Sequence, residues 1–310
     1  MKPELVMVGP MMPHVMEALD SDFAVHRLWE AADPKKLLDE VADKVRGIAT
    51  SGHLGADAAT MDALPKLEII GCYGVGVDAI DLAHAAERGV IVTNTPDVLN
   101  DDVANMAIAL LLATSRQLCL GDRYVREGKW LEKAMHLTRA IRGRKLGILG
   151  LGRIGKDIAR KAEAFDMKIA YHGRSKQNVP FEFYGDLVEM ARDSDFLVAI
   201  CPGGPATDKI VNRAVLDAIG PEGVFINVAR GSVVDEPALV AALEDGRLGG
   251  AGLDVFAAEP KVPEALLTMD QVVLQPHAAS ATHETRRAMG DLVVDNLRAH
   301  FAGKPALTPV

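Results

Sequence analysis

The 310-residue chain is longer than a single hydrophobic core comfortably serves, so two domains are expected. With 49% hydrophobic and 25% charged residues its composition is that of an ordinary globular enzyme, and no run of about 18 apolar residues is present to span a membrane. A net charge of −9 opposes nucleic acid and anionic lipid as partners of the molecule as a whole, while leaving room for a local basic pocket.

The first apolar stretch, Leu5-Val6-Met7-Val8, is strand-sized and lacks the long apolar region and cleavage site of a secretory signal, so a cytoplasmic location is the expectation. Strands are predicted at Val6–Val8, Gly47–Thr50, Leu67–Gly71 and Val90–Val92, with helices at Lys35–Lys44 and Asp81–Arg88. Such alternation predicts a parallel sheet covered on both faces. One long helix is predicted over 101–120, with Asp101 or Asp102 as its N-cap. Residues 106–112 are apolar nearly all round, which predicts burial, and the first domain crossing is placed here. A second alternation follows. Strands are predicted at Lys145–Leu149, Lys168–Tyr171, Phe196–Cys201, Val224–Val228, Gly252–Phe256 and Val272–Leu274, with helices at 152–165, 185–193, 212–219 and 235–246. A last helix, 282–302, is predicted to return to the first domain. The expected fold class is therefore α/β, with two Rossmann-like, doubly wound parallel sheets. A dinucleotide-binding domain, 100–282, would be inserted into a substrate domain formed by 1–99 and 283–310. Cys72, Cys119 and Cys201 show no CxxC or Cys/His clustering and read as buried thiols, with neither a disulfide framework nor a metal site.

Gly150-Leu151-Gly152-Arg153-Ile154-Gly155 matches G-x-G-x-x-G where the pattern carries meaning, after the apolar strand Leu146–Leu149 and at the start of the helix Lys156–Phe165. Glycine allows the turn to be tight and a pyrophosphate to come close. The N–H groups and dipole of the helix start then attract the anion. About 20 residues further on, an Asp or Glu would meet a ribose 2′-hydroxyl. That segment is Tyr171-His172-Gly173-Arg174-Ser175-Lys176, which has no carboxylate. Arg174, Ser175 and Lys176, beside His172, suit a 2′-phosphate, where each charge-assisted bond contributes about 1.5–3 kcal/mol. NADP is the expected cofactor, with NADPH preferred over NADH.

Hydride transfer to a keto acid makes three demands: a cation or donors for the carboxylate, a proton donor at the carbonyl oxygen, and a donor group that titrates near neutrality. Three residues follow consecutive predicted strands, where open α/β sheets hold their ligands. They are Arg230 in Asn227-Val228-Ala229-Arg230-Gly231, Glu259 in Asp254-Val255-Phe256-Ala257-Ala258-Glu259-Pro260, and His277 in Gln275-Pro276-His277.

These segments, with Gly74-Val75-Gly76-Val77-Asp78-Ala79-Ile80-Asp81 and Val92-Thr93-Asn94-Thr95-Pro96-Asp97-Val98-Leu99, make the whole chain resemble the D-isomer-specific 2-hydroxyacid dehydrogenases, especially the glyoxylate/hydroxypyruvate reductases. The resemblance implies two Rossmann-like domains flanking a cleft, and a homodimer. It implies that Arg230 binds and polarises the keto acid, that His277 donates the proton, and that Glu259, as its partner, favours the imidazolium ahead of reduction. The amides of Val75 and Gly76 would hold the substrate carboxylate, with Ser51 and Gly52 nearby. Cys201 and Pro202 would line the cofactor cleft, with Val228, Ala229 and Asp254 around the nicotinamide amide. Trp130, Met135 and His136 fall in a region that in such relatives packs across the dimer, and Trp130 reads as an interface or packing residue. The chain departs from the family pattern at Asn100, where Thr is common, and Asn105, where an acidic residue is often found. The implied activity is NADPH-dependent reduction of glyoxylate, hydroxypyruvate or a similar short 2-keto acid. The alternatives are a relative acting on hydroxyphenylpyruvate or phosphoglycerate, or a dinucleotide-sensing, corepressor-like protein.

Overall fold

Residues 2–310 of the chain are described by a computed structural model, Met1 lying outside the described residues. The fold divides into one unit of Met1–Leu99 with Ser280–Val310 and a second of Asn100–Ala279. In the first unit the chain runs β1 (Glu4–Met7), α1 (Pro13–Asp22), β2 (Ala24–Arg27), α2 (Pro34–Val41), β3 (Val45–Ser51), α3 (Ala58–Asp62), β4 (Ile69–Tyr73), α4 (Leu82–Glu87) and β5 (Ile91–Thr93). The strands pair in the order β2-β1-β3-β4-β5, all parallel. β1, β3 and β4 are buried on both faces, as a parallel sheet between helical layers requires. Three helices start on aspartates whose side chains accept from the first turn: Asp33 from Lys36 N, Asp57 from Thr60 N and Asp81 from His84 N.

The second unit contains α5 (Asn100–Ser115), α6 (Leu118–Arg126), β6 (Lys145–Leu149), α7 (Arg153–Glu163), β7 (Lys168–His172), β8 (Glu182–Tyr184), α8 (Leu187–Arg192), β9 (Phe196–Ala199), α9 (Arg213–Ile219), β10 (Val224–Asn227), α10 (Glu236–Glu244), β11 (Gly250–Leu253) and β12 (Val272–Leu274). The order β12-β11-β10-β9-β6-β7-β8 puts β6 between β9 and β7, so the winding reverses at the end of β6. That reversal is where a doubly wound sheet opens a crevice for a ligand. The edge strand β8 is held partly by Lys145, whose Nζ lies 2.8 Å from Glu182 and 2.5 Å from Asp193.

The single helix expected over 101–120 is broken. It ends at Ser115, Gln117 turns into the left-handed region at φ 50°, and α6 leaves at 56° to α5. The apolar run stops short of the break, so nothing favours continuing straight along the core. The expected caps are also displaced. The helix begins at Asn100, and the Asp101 carboxylate accepts from Lys161 Nζ (2.7 Å) and Asn105 Nδ2 (3.1 Å). The buried residues of α5, Val103, Ala104, Ala107, Ile108, Leu110 and Leu111 among them, serve a helix packed on α7 and on β10 to β12. Gly252 makes that approach possible, since a Cβ there would stand 3.0 Å from Leu110 Cβ and 2.8 Å from Ile226 Cδ1. Cys72 and Cys201 are buried, but Cys119, on α6, is exposed, because α6 buries none of its side chains. No single helix among the described residues is long and apolar enough to cross a membrane.

The chain then returns through α11 (His283–Phe301), capped by Thr282, which accepts from Thr285 N. Val293, Val294 and Leu297 of α11 join Leu5, Met7, Val15, Leu19 and Ile69 in one buried cluster. Each aliphatic side chain buried this way contributes about 1.5–3 kcal/mol. Gly290 lets α1 cross α11, for a Cβ there would fall 2.2 Å from Val15. Asn296, fully buried on α11, donates to Leu292 O and Thr308 Oγ1 and accepts from Leu307 N and Thr308 N. The strip it holds runs beside β5, where Asn94 N donates to Thr308 O and Val310 N to Val92 O.

Candidate active site

The turn after β6 is shaped by three glycines. Gly150, at φ 102°, lies so close to the end of β9 that a Cβ would come within 2.8 Å of Cys201 N and Cα. At Gly155 a Cβ would meet Gly150 O at 2.3 Å, so helix and turn are packed against each other. At Gly152 the same test finds open space, and this residue caps α7 with no side chain over the first turn. Close packing on one side and clearance on the other fit a pyrophosphate on the α7 amides. Leu151 O accepts from Gln177 Nε2 at 2.8 Å, bracing the turn against the loop after β7. That loop carries Arg174, Ser175 and Lys176, all exposed, directly after His172, whose backbone oxygen accepts from Gly150 N. The His172 ring is engaged at Nδ1 by Tyr184 O. Burial pushes the Cys201 thiol up to about 11, so it stays a neutral wall of the crevice. Pro202 O accepts from Thr207 Oγ1, fixing the loop that follows.

The loops after β10, β11 and β12 carry Arg230, Glu259 and His277. Asn227 shapes the first, its side chain donating to Arg230 O and accepting from Ala229 N. Arg230 Nη1 donates to Ala229 O at 2.7 Å, and Val228 N to Ala199 O. A Cβ at Gly231 would lie 2.0 Å from the Phe256 backbone, so glycine brings the Arg230 loop onto the loop that leads to Glu259. Glu259 Oε1 accepts from Phe256 N at 3.0 Å, and its Oε2 meets His277 Nδ1 at 2.9 Å. The two side chains are about a quarter exposed, 25% and 26%. His277 sits at φ 51°, its amide donating to Asp254 O. Asp254 is buried and accepts from Ala278 N and Ala279 N. Burial raises its pKa and those two amides oppose the rise. Two of its acceptor sites therefore hold the segment that carries the imidazole.

In the first unit, Ser51-Gly52 and Val75-Gly76 lie together, since a Cβ on Gly52 would be 2.5 Å from Gly76 O. The Val75 carbonyl accepts from Asn94 Nδ2 and that of Gly76 from Cys72 Sγ. Neither amide nitrogen meets a protein acceptor among the described residues. Two adjacent amides without a protein acceptor are the donor set that a small anion cradle requires.

Residues 108–279 match the family model described as D-isomer specific 2-hydroxyacid dehydrogenase, NAD binding domain. The chain is 52% identical over 307 residues to a hydroxyphenylpyruvate reductase of Plectranthus scutellarioides, covering 99% of this chain and 98% of that one. The chain belongs to the D-isomer-specific 2-hydroxyacid dehydrogenase family. This dehydrogenase is also 48% identical to a glyoxylate/hydroxypyruvate reductase A of Arabidopsis thaliana, over 99% of this chain and 98% of the relative. Among solved structures, the NADPH-dependent glyoxylate/hydroxypyruvate reductase of Sinorhizobium meliloti, in complex with NADP and malonate, superposes with a TM-score of 0.94 at 50% identity. The match spans 100% of this chain and 97% of that one. The family makes this protein a nicotinamide-dependent oxidoreductase.

Two residues, Asn94 and Arg286, were given no part by the sequence. Asn94 acts by holding backbone, which leaves no pattern beyond its presence in a motif. Asp254, expected beside the nicotinamide amide, accepts from Ala278 N and Ala279 N with its two carboxylate oxygens. Arg286, described below, sits on a helix face where exposed cations are common.

Proposed function

We propose that this dehydrogenase reduces glyoxylate, hydroxypyruvate or a similar short 2-keto acid, with NADPH preferred over NADH. The observation that carries the reading is the 2.9 Å bond from Glu259 Oε2 to His277 Nδ1, with Glu259 itself anchored by Phe256 N. With Nδ1 bonded to the carboxylate, Nε2 is the ring nitrogen proposed for proton transfer. When bound, the nicotinamide would supply the hydride that the carbonyl carbon accepts. His277 delivers the proton to the carbonyl oxygen, so a ketone becomes an alcohol, and Arg230 orients and polarises the substrate through its planar fork of donors. The Val75–Gly76 amides are suited to the substrate carboxylate. Gly150, Gly152 and the first turn of α7 would hold the pyrophosphate, while Arg174, Ser175 and Lys176 would take a 2′-phosphate.

The NADP complex of the Sinorhizobium relative supports that cofactor preference, and the names of both curated relatives support a 2-keto acid. A homodimer is proposed on the exposure of Trp130 (66%), Leu131 (93%) and Leu137 (96%), an apolar stretch that a second copy would cover. The deciding experiment is steady-state kinetics on the purified protein, with a panel of 2-keto acids and both reduced cofactors. Turnover of glyoxylate or hydroxypyruvate with a lower KM for NADPH is expected. Cofactor binding without turnover of any 2-keto acid would mark a sensor instead, and a lower KM for NADH would overturn the cofactor preference.

A further inference from the structure

The first unit contains a cavity of about 430 Å³, within the roughly 300–1,000 Å³ of small-molecule pockets, and every residue lining it belongs to that unit. Ser51 and Tyr73 form its wall toward the anion cradle, and Met11, Met12 and Leu54 give it an apolar side. Arg286, from the first turns of α11, faces it from the other side. Glyoxylate has only a hydrogen beyond its carbonyl, and hydroxypyruvate a hydroxymethyl group. The cavity is many times larger than either needs, since one water takes only about 30 Å³ of liquid.

Its charge is as informative as its size. Arg286 is half-buried, its guanidinium carbon 5.8 Å from the centre of the Tyr73 ring, and the Tyr73 hydroxyl donates to the Arg286 carbonyl at 2.9 Å. Ring and cation are thereby fixed to each other. No carboxylate is among the residues that line the cavity, and among the described residues no ion pair engages the Arg286 side chain. In a chain with a net charge of −9, where most arginines around the fold meet an Asp or Glu, this one faces a cavity without an anion to balance it.

We propose that this cavity receives the far end of the substrate, and that Arg286 selects 2-keto acids whose side chain carries a second carboxylate. The inference rests on the reading that the Val75–Gly76 amides hold the substrate's own carboxylate. From that cradle, a substrate lying along the Ser51–Tyr73 wall passes its middle carbons over Met11, Met12 and Leu54 and brings its terminal carboxylate to the guanidinium. The hydride and proton chemistry is unchanged. What the cavity adds is selectivity, through a charge-assisted bidentate contact that an uncharged chain of equal length cannot make.

The test compares 2-oxopentanedioate with 2-oxopentanoate, two acids of equal length that differ only in the terminal carboxylate, with glyoxylate as a third substrate and NADPH throughout. The wild-type kcat/KM is expected to favour the diacid by about tenfold or more, the effect of one charge-assisted hydrogen bond. In Arg286→Met the ratio is expected to fall to about one for want of that bond. Because the ratio is taken within one preparation, it does not depend on how much of a variant is folded. A wild-type ratio at or below one overturns the proposal, and so does a ratio that survives in Arg286→Met. Reduction of glyoxylate without preference for the diacid sinks this inference alone. Reduction of no 2-keto acid at all sinks the proposed function with it.

Discussion

In the proposed reaction the second unit would supply side chains, set by the short loops that follow β10, β11 and β12. In the first unit the proposed anion would meet two backbone amides, whose direction is set by what holds the carbonyl of each preceding residue, Thr95 N at Gly74 O and Asn94 Nδ2 at Val75 O. The difference separates two kinds of vulnerability. A reacting side chain cannot be exchanged without losing its function. A backbone cradle tolerates the exchange of its own side chains and fails when its braces are removed.

The largest expected effect lies in the second unit. His277→Ala should lower kcat by about a thousandfold, within the range for a positioned general acid, while Val75→Ala should stay within about threefold. Steady-state kinetics decides, and the contrast between side chain and backbone collapses if the two variants fall together. Next comes a brace in the first unit. Asn296→Leu leaves the amides of Leu307 and Thr308 without acceptors in a buried place, at a cost of about 2–4 kcal/mol in urea unfolding. The same variant should raise KM more than it lowers kcat, because Thr308 Oγ1 donates to Asn94 O and Asn94 in turn holds the Val75 carbonyl. A fall in kcat at constant KM would contradict that chain of contacts. Smaller still, Arg174→Ser should reduce the preference for NADPH over NADH by about tenfold, the loss of one charge-assisted bond. An unchanged ratio would assign the 2′-phosphate elsewhere.

The smallest effect concerns the thiols. Alkylation at pH 8 should modify Cys119 and spare Cys72 and Cys201 in the folded protein, read by peptide mass. Burial raises the Cys201 pKa from 9.0 to about 11, so the folded state keeps the neutral thiol where the unfolded chain ionises. The stability this contributes is complete below pH 9 and is lost as pH climbs toward 11. Cys201→Ala should flatten that alkaline decline, and an identical decline in the variant would place its cause in other groups.

Much of the second unit could be read from the chain because each feature leaves a local pattern. β6, its glycine turn and α7 form a strand, a break and a helix in succession, and Arg230, Glu259 and His277 follow strands that are apolar but for Asn227. The short edge strands β2 and β8 went unread, since Ala-Val-His-Arg and Glu-Phe-Tyr carry too few apolar positions to show a period. The break at Gln117 was invisible because a left-handed non-glycine residue has no reliable sequence mark, and a helical pattern continues across it. The strip 307–310 and the cavity of Arg286 are products of packing. Each depends on residues some 200 positions apart, and no local window contains both partners.

The return of α11 to the first sheet has a consequence on the ribosome. Leu5, Met7 and Ile69 are covered by Val293 and Leu297, so one face of that sheet stays bare until nearly the whole polypeptide has emerged. At about 5–20 residues per second, the roughly 200 residues made between β5 and the end of α11 take on the order of ten to forty seconds. The second unit, contiguous in the chain, can close during that interval. The nascent N-terminal segment meanwhile holds an open apolar surface, the kind of surface that chaperones bind.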